Sequence, residues 1–329
     1  MQLKFVSEEG RLALHPECRE AMANVSPWMR HALFHQVCQQ IFQDAPAPSA
    51  AGDEMRDQGF TTLAECLSAS EAATLSDAIT QTLEARGPNA GAHAPVSDDP
   101  AKINVDVPQT GRLRELLLDA LPRILNPRVE AALETYYGSH FRIFSSVTYR
   151  THALAEHVNS FRWHRDMAPM AQVHIITYLT PSGVDSGATM VLDLAQSLAA
   201  ARQGYRYEQL HERTVDLAEI FGGAEAAPAP SRPDLAAGDA LLFAPPRVLH
   251  RGSLPTTGYR DTFTLVVLPS SVPWRHDVAD FGDDLVFRPT AHMTLCTDPF
   301  RARCPEIPGE FQRLTSVTED WVLGGGLQP

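Results

Sequence analysis

His164 and Asp166 stand two residues apart in Ser160-Phe161-Arg162-Trp163-His164-Arg165-Asp166 and bring an imidazole and a carboxylate together in strand-like sequence. Extended backbone alternates its side chains, so both point to one face. A metal held by this pair needs a third ligand. His250, at the end of the apolar run before Arg247-Val248-Leu249-His250-Arg251-Gly252, is the candidate. Two histidines and one carboxylate form the ligand set that leaves adjacent positions open on non-haem Fe(II). A co-substrate and O2 can then bind side by side.

The elements that must position these residues are mostly short β runs. They cover 141–150, 161–164, 173–179, 189–192, 240–244 and 263–268, separated by Gly/Pro turns. Regularly spaced strands of this kind predict a mainly β fold with flanking helices, its core a double-stranded β-helix of jelly-roll or cupin-like type rather than a βαβ sheet. Ahead of them, Gln58-Gly59-Phe60 leads into Ser68-Ala69-Ser70-Glu71, a capping box that opens a helix ending at Gly87. Lys102 to Val107 alternates as a strand, and helical segments follow up to Gly138. The expected organisation is a helical N-terminal extension over 1–54, a dioxygenase-type barrel over 55–275 with an insertion at 195–237, and a tail over 276–329 packed on the barrel. In the extension, Met29, Leu33, Val37 and Ile41 recur every four residues as an amphipathic helix, a possible homodimer contact or lid. His31 and His35 are expected on its solvated edge.

Composition narrows the function. The 329 residues are 44% apolar and carry a formal charge of −13, so a sizeable core can form and no basic face is available for nucleic acid. A small-molecule substrate is expected instead. No apolar run reaches the roughly 20 residues that cross a bilayer, and Met1-Gln2-Leu3-Lys4-Phe5-Val6 lacks the apolar stretch of a signal peptide. Five scattered cysteines without a CxxC pair fit reduced thiols. These features together predict a cytoplasmic protein.

Arg260 follows His250 by ten residues across the turn Leu254-Pro255-Thr256-Thr257-Gly258-Tyr259, which returns the chain antiparallel and aims the guanidinium into the same cavity. A buried guanidinium needs an anion, and it holds carboxylates in a two-pronged, charge-assisted contact. The distal carboxylate of 2-oxoglutarate suits it. HxD, a distant His and an Arg ten residues further on resemble the Fe(II)/2-oxoglutarate-dependent dioxygenases, most closely the phytanoyl-CoA dioxygenase-like branch. The resemblance spans roughly 55–270 and includes Gln58-Gly59-Phe60 and the run Gly238-Asp239 to Phe243.

The resemblance implies an iron triad of His164, Asp166 and His250, a 2-oxoglutarate C5-carboxylate anchor at Arg260, and a hydroxyl on the same carboxylate from Thr262. It implies Fe(II), 2-oxoglutarate and O2 as cofactor and co-substrates, with succinate and CO2 as co-products of C–H oxidation. Lys102 and Asn104 match positions near co-substrate or substrate. Phe161 departs from relatives with Gln three positions before the first histidine, so the C1 end of 2-oxoglutarate must be steadied elsewhere, with Gln172 and Thr177 as candidates. The carboxylate of Asp166 favours hydroxylation, desaturation or ring chemistry over halogenation. The alternatives are a non-catalytic cupin-like binding module and a cupin-type metal-dependent isomerase, and Arg260 speaks against the binding module. His174 is expected in the core or beside the site rather than as a ligand, and Trp163 as packing. Arg162, Arg165, Arg247 and Arg251 are expected as a solvated rim, with the reception of an anionic substrate as the alternative role.

Overall fold

The structure, a computed structural model, describes residues 4–16, 18–19, 27–42, 46–95, 104–153, 159–281, 299–301 and 303–304. A six-stranded antiparallel sheet dominates it, built from β3 (Phe60–Leu63), β4 (Asn104–Asp106), β5 (His140–His152), β6 (Val173–Tyr178), β8 (Ala240–Phe243) and β10 (Tyr259–Ser270). Its spatial order is β3-β8-β6-β10-β5-β4. Opposite lies a smaller layer, β7 (Thr189–Val191) paired with β9 (His250–Gly252) and extended by bridges from His164 to His250 and from Val191 to Ser231. The two layers form the double-stranded β-helix.

Strand alternation sorts the large sheet into two faces. On β10, Phe263, Leu265 and Val267 join the main apolar cluster, while Arg260, Thr262, Thr264 and Val266 line an interior cavity. Four helices cover the apolar face: α2 (Ala50–Gln58), α3 (Ala69–Ala85), α4 (Gly111–Ile124) and α5 (Pro127–Tyr137). Their start signals match the sequence. Ser68 and Glu71 close a reciprocal capping box on α3, and Asn126 caps α5 ahead of Pro127. Under α3, Arg150 and Asp261 form a fully buried ion pair, closed by the Ser76 hydroxyl donating to Asp261 at 2.6 Å. Buried charge is tolerated only when paired and hydrogen-bonded in this way. The pair fixes the residue next to Arg260.

The N-terminal region departs from the helical expectation. A hairpin of β1 (Phe5–Glu8) and β2 (Arg11–Leu14) precedes α1 (Pro27–Ile41), and both pack with the short turn Pro299–Arg301 into a separate apolar cluster. Leu33, Phe34, Val37 and Cys38 are buried there within the one chain, so the α1 face expected to meet a second copy is already covered. The cysteine Cys296 lies outside the described residues. Cys18, Cys38, Cys66 and Cys304 are free thiols. Among the described residues, no helix is long and apolar enough to cross a membrane.

His31 and His35 are not on a solvated edge; both are buried. His35 donates from Nε2 to the Tyr137 carbonyl at 2.8 Å, and burial pushes its pKa down to about 4. The unfolded chain therefore takes up a proton first as pH falls below 6.5. The stability gained by keeping this imidazole neutral is complete above that value and is lost as pH falls toward about 4, approaching ~3 kcal/mol. In His35→Gln, which keeps an N–H for the Tyr137 carbonyl, the fall in melting temperature between about pH 7 and 4.5 is expected to be shallower. Identical profiles would contradict the assignment.

Candidate active site

His164, Asp166 and His250 converge at one end of the cavity, each offering a ligand atom within 4.8 Å of the others. The segment carrying His164 is not a regular strand. A short 3-10 turn at Asn159–Phe161 leads into it, and backbone hydrogen bonds of 3.0 Å in both directions tie His164 to His250. Asp166 is placed by its own N–H, which donates to the Pro245 carbonyl. One bridge thus holds both imidazoles and the carboxylate in register.

The tautomers follow from the backbone. His164 Nδ1 lies 2.7 Å from the Arg162 carbonyl and His250 Nδ1 lies 3.1 Å from the Val248 carbonyl. A carbonyl accepts only, so each Nδ1 carries a hydrogen, which leaves Nε2 of each ring as the nitrogen available to ligate. Those two nitrogens face Asp166 Oδ1 at 3.4 and 3.9 Å. Burial, reinforced by His164, pushes the His250 pKa down to about 3. For Asp166, burial alone would raise the pKa, but His164, then His250 and His174, hold it well below the usual carboxylate range. Neutral imidazoles and an ionised carboxylate are the protonation states that bind a divalent cation. With both Nε2 atoms deprotonated, two lone pairs and a carboxylate converge on one point, as a metal requires.

The cavity, of roughly 360 Å³, runs from this triad to Arg260. Across the sheet, Val266 sits opposite His174, Thr264 opposite Ile176 and Val147, Thr262 opposite Tyr178 and Tyr149, and Arg260 opposite Thr151. Arg260 is buried, and its Nη1 donates to the Gly187 and Ser253 carbonyls. Its Nη2 lies 3.5 Å from the Thr151 hydroxyl, and its Nε has no partner. Among the described residues no carboxylate pairs with this guanidinium, and burial lowers its pKa. A guanidinium stays charged even so. An anion in the cavity would complete it.

The remaining candidates divide. Thr262 and Asn104 line the cavity, and Asn104 accepts from the Thr151 hydroxyl at 2.6 Å. Lys102 lies outside the described residues. Thr177 is fully buried but does not line the cavity; on β6 it is three residues from His174 and so faces the helical side. It is misplaced for a contact to the C1 end of 2-oxoglutarate. Gln172 also stays out of the lining, and its amide bonds His174 Nε2 at 2.9 Å. Phe161 is buried and lines the site, and its ring lies so close to Gly252 that a Cβ there would come within 2.9 Å of it. Tyr149 and Thr151, on the same face of β5 as Val147, and Ser160 of the 3-10 turn also line the cavity, and the sequence reading singled out none of them.

The arginine rim is corrected. Arg165 and Arg247 are buried, not solvated. Arg165 donates to the carbonyls of Ser197, Tyr205, Arg206 and Arg247, and Arg247 donates to the Tyr136 hydroxyl at 3.0 Å. Half-buried Arg162 and Arg251 donate to the carbonyls of Arg213 and Phe161. These cations fasten loops to the site. The segment carrying α6 (Leu194–Arg202) and α7 (Leu217–Phe221) packs on Trp163, whose indole N–H donates to the Val215 carbonyl.

Residues 55–260 match the family described as phytanoyl-CoA dioxygenase (PhyH), which is more than half of the chain. The chain belongs to the phytanoyl-CoA dioxygenase family. As a member of it, the protein is an iron- and 2-oxoglutarate-dependent oxidoreductase that uses O2, and His164, Asp166 and His250 supply donors suited to the iron. Solved structures similar to this phytanoyl-CoA dioxygenase family member include the epimerase SnoN from nogalamycin biosynthesis with Fe3+, alpha ketoglutarate and nogalamycin RO. That match is 17% identical, covers 67% of this chain and 83% of SnoN, and has a TM-score of 0.47. The carbocyclase SnoK is 17% identical over 81% of this chain and 96% of its own, with a TM-score of 0.45. HygX from Streptomyces hygroscopicus, with nickel and 2-oxoglutarate bound, is 14% identical over 69% and 89%, with a TM-score of 0.43. Among curated proteins, none matches the sequence.

Proposed function

We propose that this enzyme oxidises a C–H bond of a small-molecule metabolite or natural-product intermediate, most simply by hydroxylation, with succinate and CO2 as co-products. The observation that carries the reading is a single cavity holding a His/Asp/His donor set and, at its other end, a buried guanidinium without a carboxylate partner. A non-catalytic cupin-like binding module has no need of such an anchor for 2-oxoglutarate. Iron with 2-oxoglutarate and O2 supplies the oxidising power when bound.

The chain's own residues bind, orient and exclude water. His164, Asp166 and His250 hold the metal, with Nε2 lone pairs aimed by the Arg162 and Val248 carbonyls. Arg260 grips the C5 carboxylate of 2-oxoglutarate through its free Nε edge, and the Thr262 hydroxyl, two residues along the same face, donates to it. Asn104 is oriented by Thr151 toward the co-substrate or substrate. Apolar Phe161, Phe243 and Ile176 keep the remaining wall dry, so that electrostatic contacts inside act at low dielectric.

Candidate metabolites incubated with enzyme, Fe(II), 2-oxoglutarate and O2 give the test. A product heavier by one oxygen, formed in step with succinate, is expected. A product short of two hydrogens, or of unchanged mass, would replace hydroxylation by desaturation or rearrangement. Product formation without 2-oxoglutarate would overturn the reading.

A further inference from the structure

A third imidazole faces the carboxylate of the triad. His174 projects from β6 into the cavity, opposite Val266 on one side and Phe243 on the other. Its Nε2 is 3.9 Å from Asp166 Oδ2, whereas His164 and His250 face the other oxygen, Oδ1. The two carboxylate oxygens therefore have different surroundings. His174 is not a member of the converging ligand group, and its ring is set edge-on against Phe243 with centroids 5.5 Å apart.

Gln172 holds that ring, its amide nitrogen placed 2.9 Å from His174 Nε2. The oxygen and nitrogen of an amide exchange places by a half-turn, and the hydrogen-bond network decides between them. Next to a carboxylate, the imidazole hydrogen is favoured on the nitrogen that faces the anion, and Gln172 then accepts from the same N–H through its oxygen. A direct hydrogen bond needs about 3 Å, and the terminal torsion of an aspartate is soft. A modest rotation of Asp166 closes the gap. A ligating carboxylate whose outer oxygen has its own donor stays on the metal through one oxygen only, and the position that a second oxygen would take remains open.

We infer that His174, held by Gln172, is a positioning residue that engages Oδ2 of Asp166 and keeps this carboxylate to one-oxygen ligation. The inference rests on the reading of the triad as a metal site. It gives this chain a support for the iron ligand that the His/Asp/His spacing does not contain.

Co(II) titration of the full-length protein, without 2-oxoglutarate, reads the role apart from turnover. Wild type is expected to bind one Co(II), and His164→Ala to abolish binding. His174→Leu is expected to weaken binding by roughly 10- to 100-fold, the usual effect of removing a partner behind a metal ligand. It also changes the visible Co(II) absorption as the carboxylate turns. His174→Gln, which keeps an N–H near the place of Nε2, recovers most of the affinity, and Gln172→Leu falls between wild type and His174→Leu. Wild-type affinity and spectrum in His174→Leu overturn the role, as does a His174→Gln as weak as the leucine variant, since the ring would then serve packing alone. If His174→Leu does not fold, Gln172→Leu decides, and a loss below about threefold overturns the role. Failure of wild type to bind Co(II) removes the metal-site reading and this inference with it.

Discussion

Arg260→Met is expected to raise the 2-oxoglutarate concentration for half-maximal turnover by roughly 30- to 1,000-fold, the range seen when one side of a buried, hydrogen-bonded charge pair is truncated. The prediction follows from the state of the guanidinium: it is buried, its Nη1 spends its hydrogen bonds on the Gly187 and Ser253 carbonyls, and its Nε edge is left without a partner. A cation in that position is incomplete until an anion arrives. Lysine keeps the charge but loses the planar fork, so Arg260→Lys is expected to fall between the two. Thermal stability supplies an independent measurement. A ligand that binds only the folded protein raises its melting temperature. Added to protein already loaded with a redox-inert divalent metal, 2-oxoglutarate should therefore raise the melting temperature of wild type further and leave that of metal-loaded Arg260→Met nearly unmoved. A half-saturation value within threefold of wild type would show that the co-substrate is anchored elsewhere.

Asp166→Ala is expected to cost more. It removes the anionic member of a donor set whose other two members are neutral imidazoles, one of them with a pKa pushed down to about 3. Partners behind a ligand contribute 10- to 100-fold in metal affinity, so loss of the ligand itself should exceed about 100-fold and take turnover below detection. The metal-free protein should hardly notice. The Asp166 side chain is 30% exposed, so its removal takes little packing from the fold. Equal melting temperatures of the metal-free wild type and variant, with metal binding lost, separate a missing ligand from a misfolded protein. Retained iron affinity in Asp166→Ala would remove this residue from the metal site.

Much of the site was legible because its chemistry is carried by residue types at fixed spacing. His164 and Asp166 two apart, His250 at the end of an apolar run and Arg260 ten residues later needed only strand alternation and one turn to be brought into a common cavity. The β-helix core was legible for the same reason, since its strands alternate or run apolar between Gly/Pro turns. What failed was local. The His164 segment reads as a strand, yet one backbone bridge and a 3-10 turn hold it, and Arg165, turned away from the cavity as alternation requires, meets loop carbonyls instead of solvent. A charged residue beside a site reads as solvated until the four carbonyls that surround it are known. Thr177 was an avoidable miss, because His174 and Thr177 have odd spacing on one strand and cannot both face inward. The β1–β2 hairpin gave little signal: each strand has four residues, and its apolar partners come from α1 and from a turn almost 300 residues away. The contact of Gln172 with His174 was likewise out of reach, because it depends on how the chain turns into β6.

The central claim is that one cavity holds Fe(II) at His164, Asp166 and His250 and 2-oxoglutarate between that metal and Arg260. An anaerobic titration tests it most directly. Fe(II) and 2-oxoglutarate added together to wild type are expected to give a weak visible charge-transfer band that neither produces alone, absent in His164→Ala and shifted to far higher 2-oxoglutarate in Arg260→Met. No band in wild type, or the same band in His164→Ala, would contradict the account.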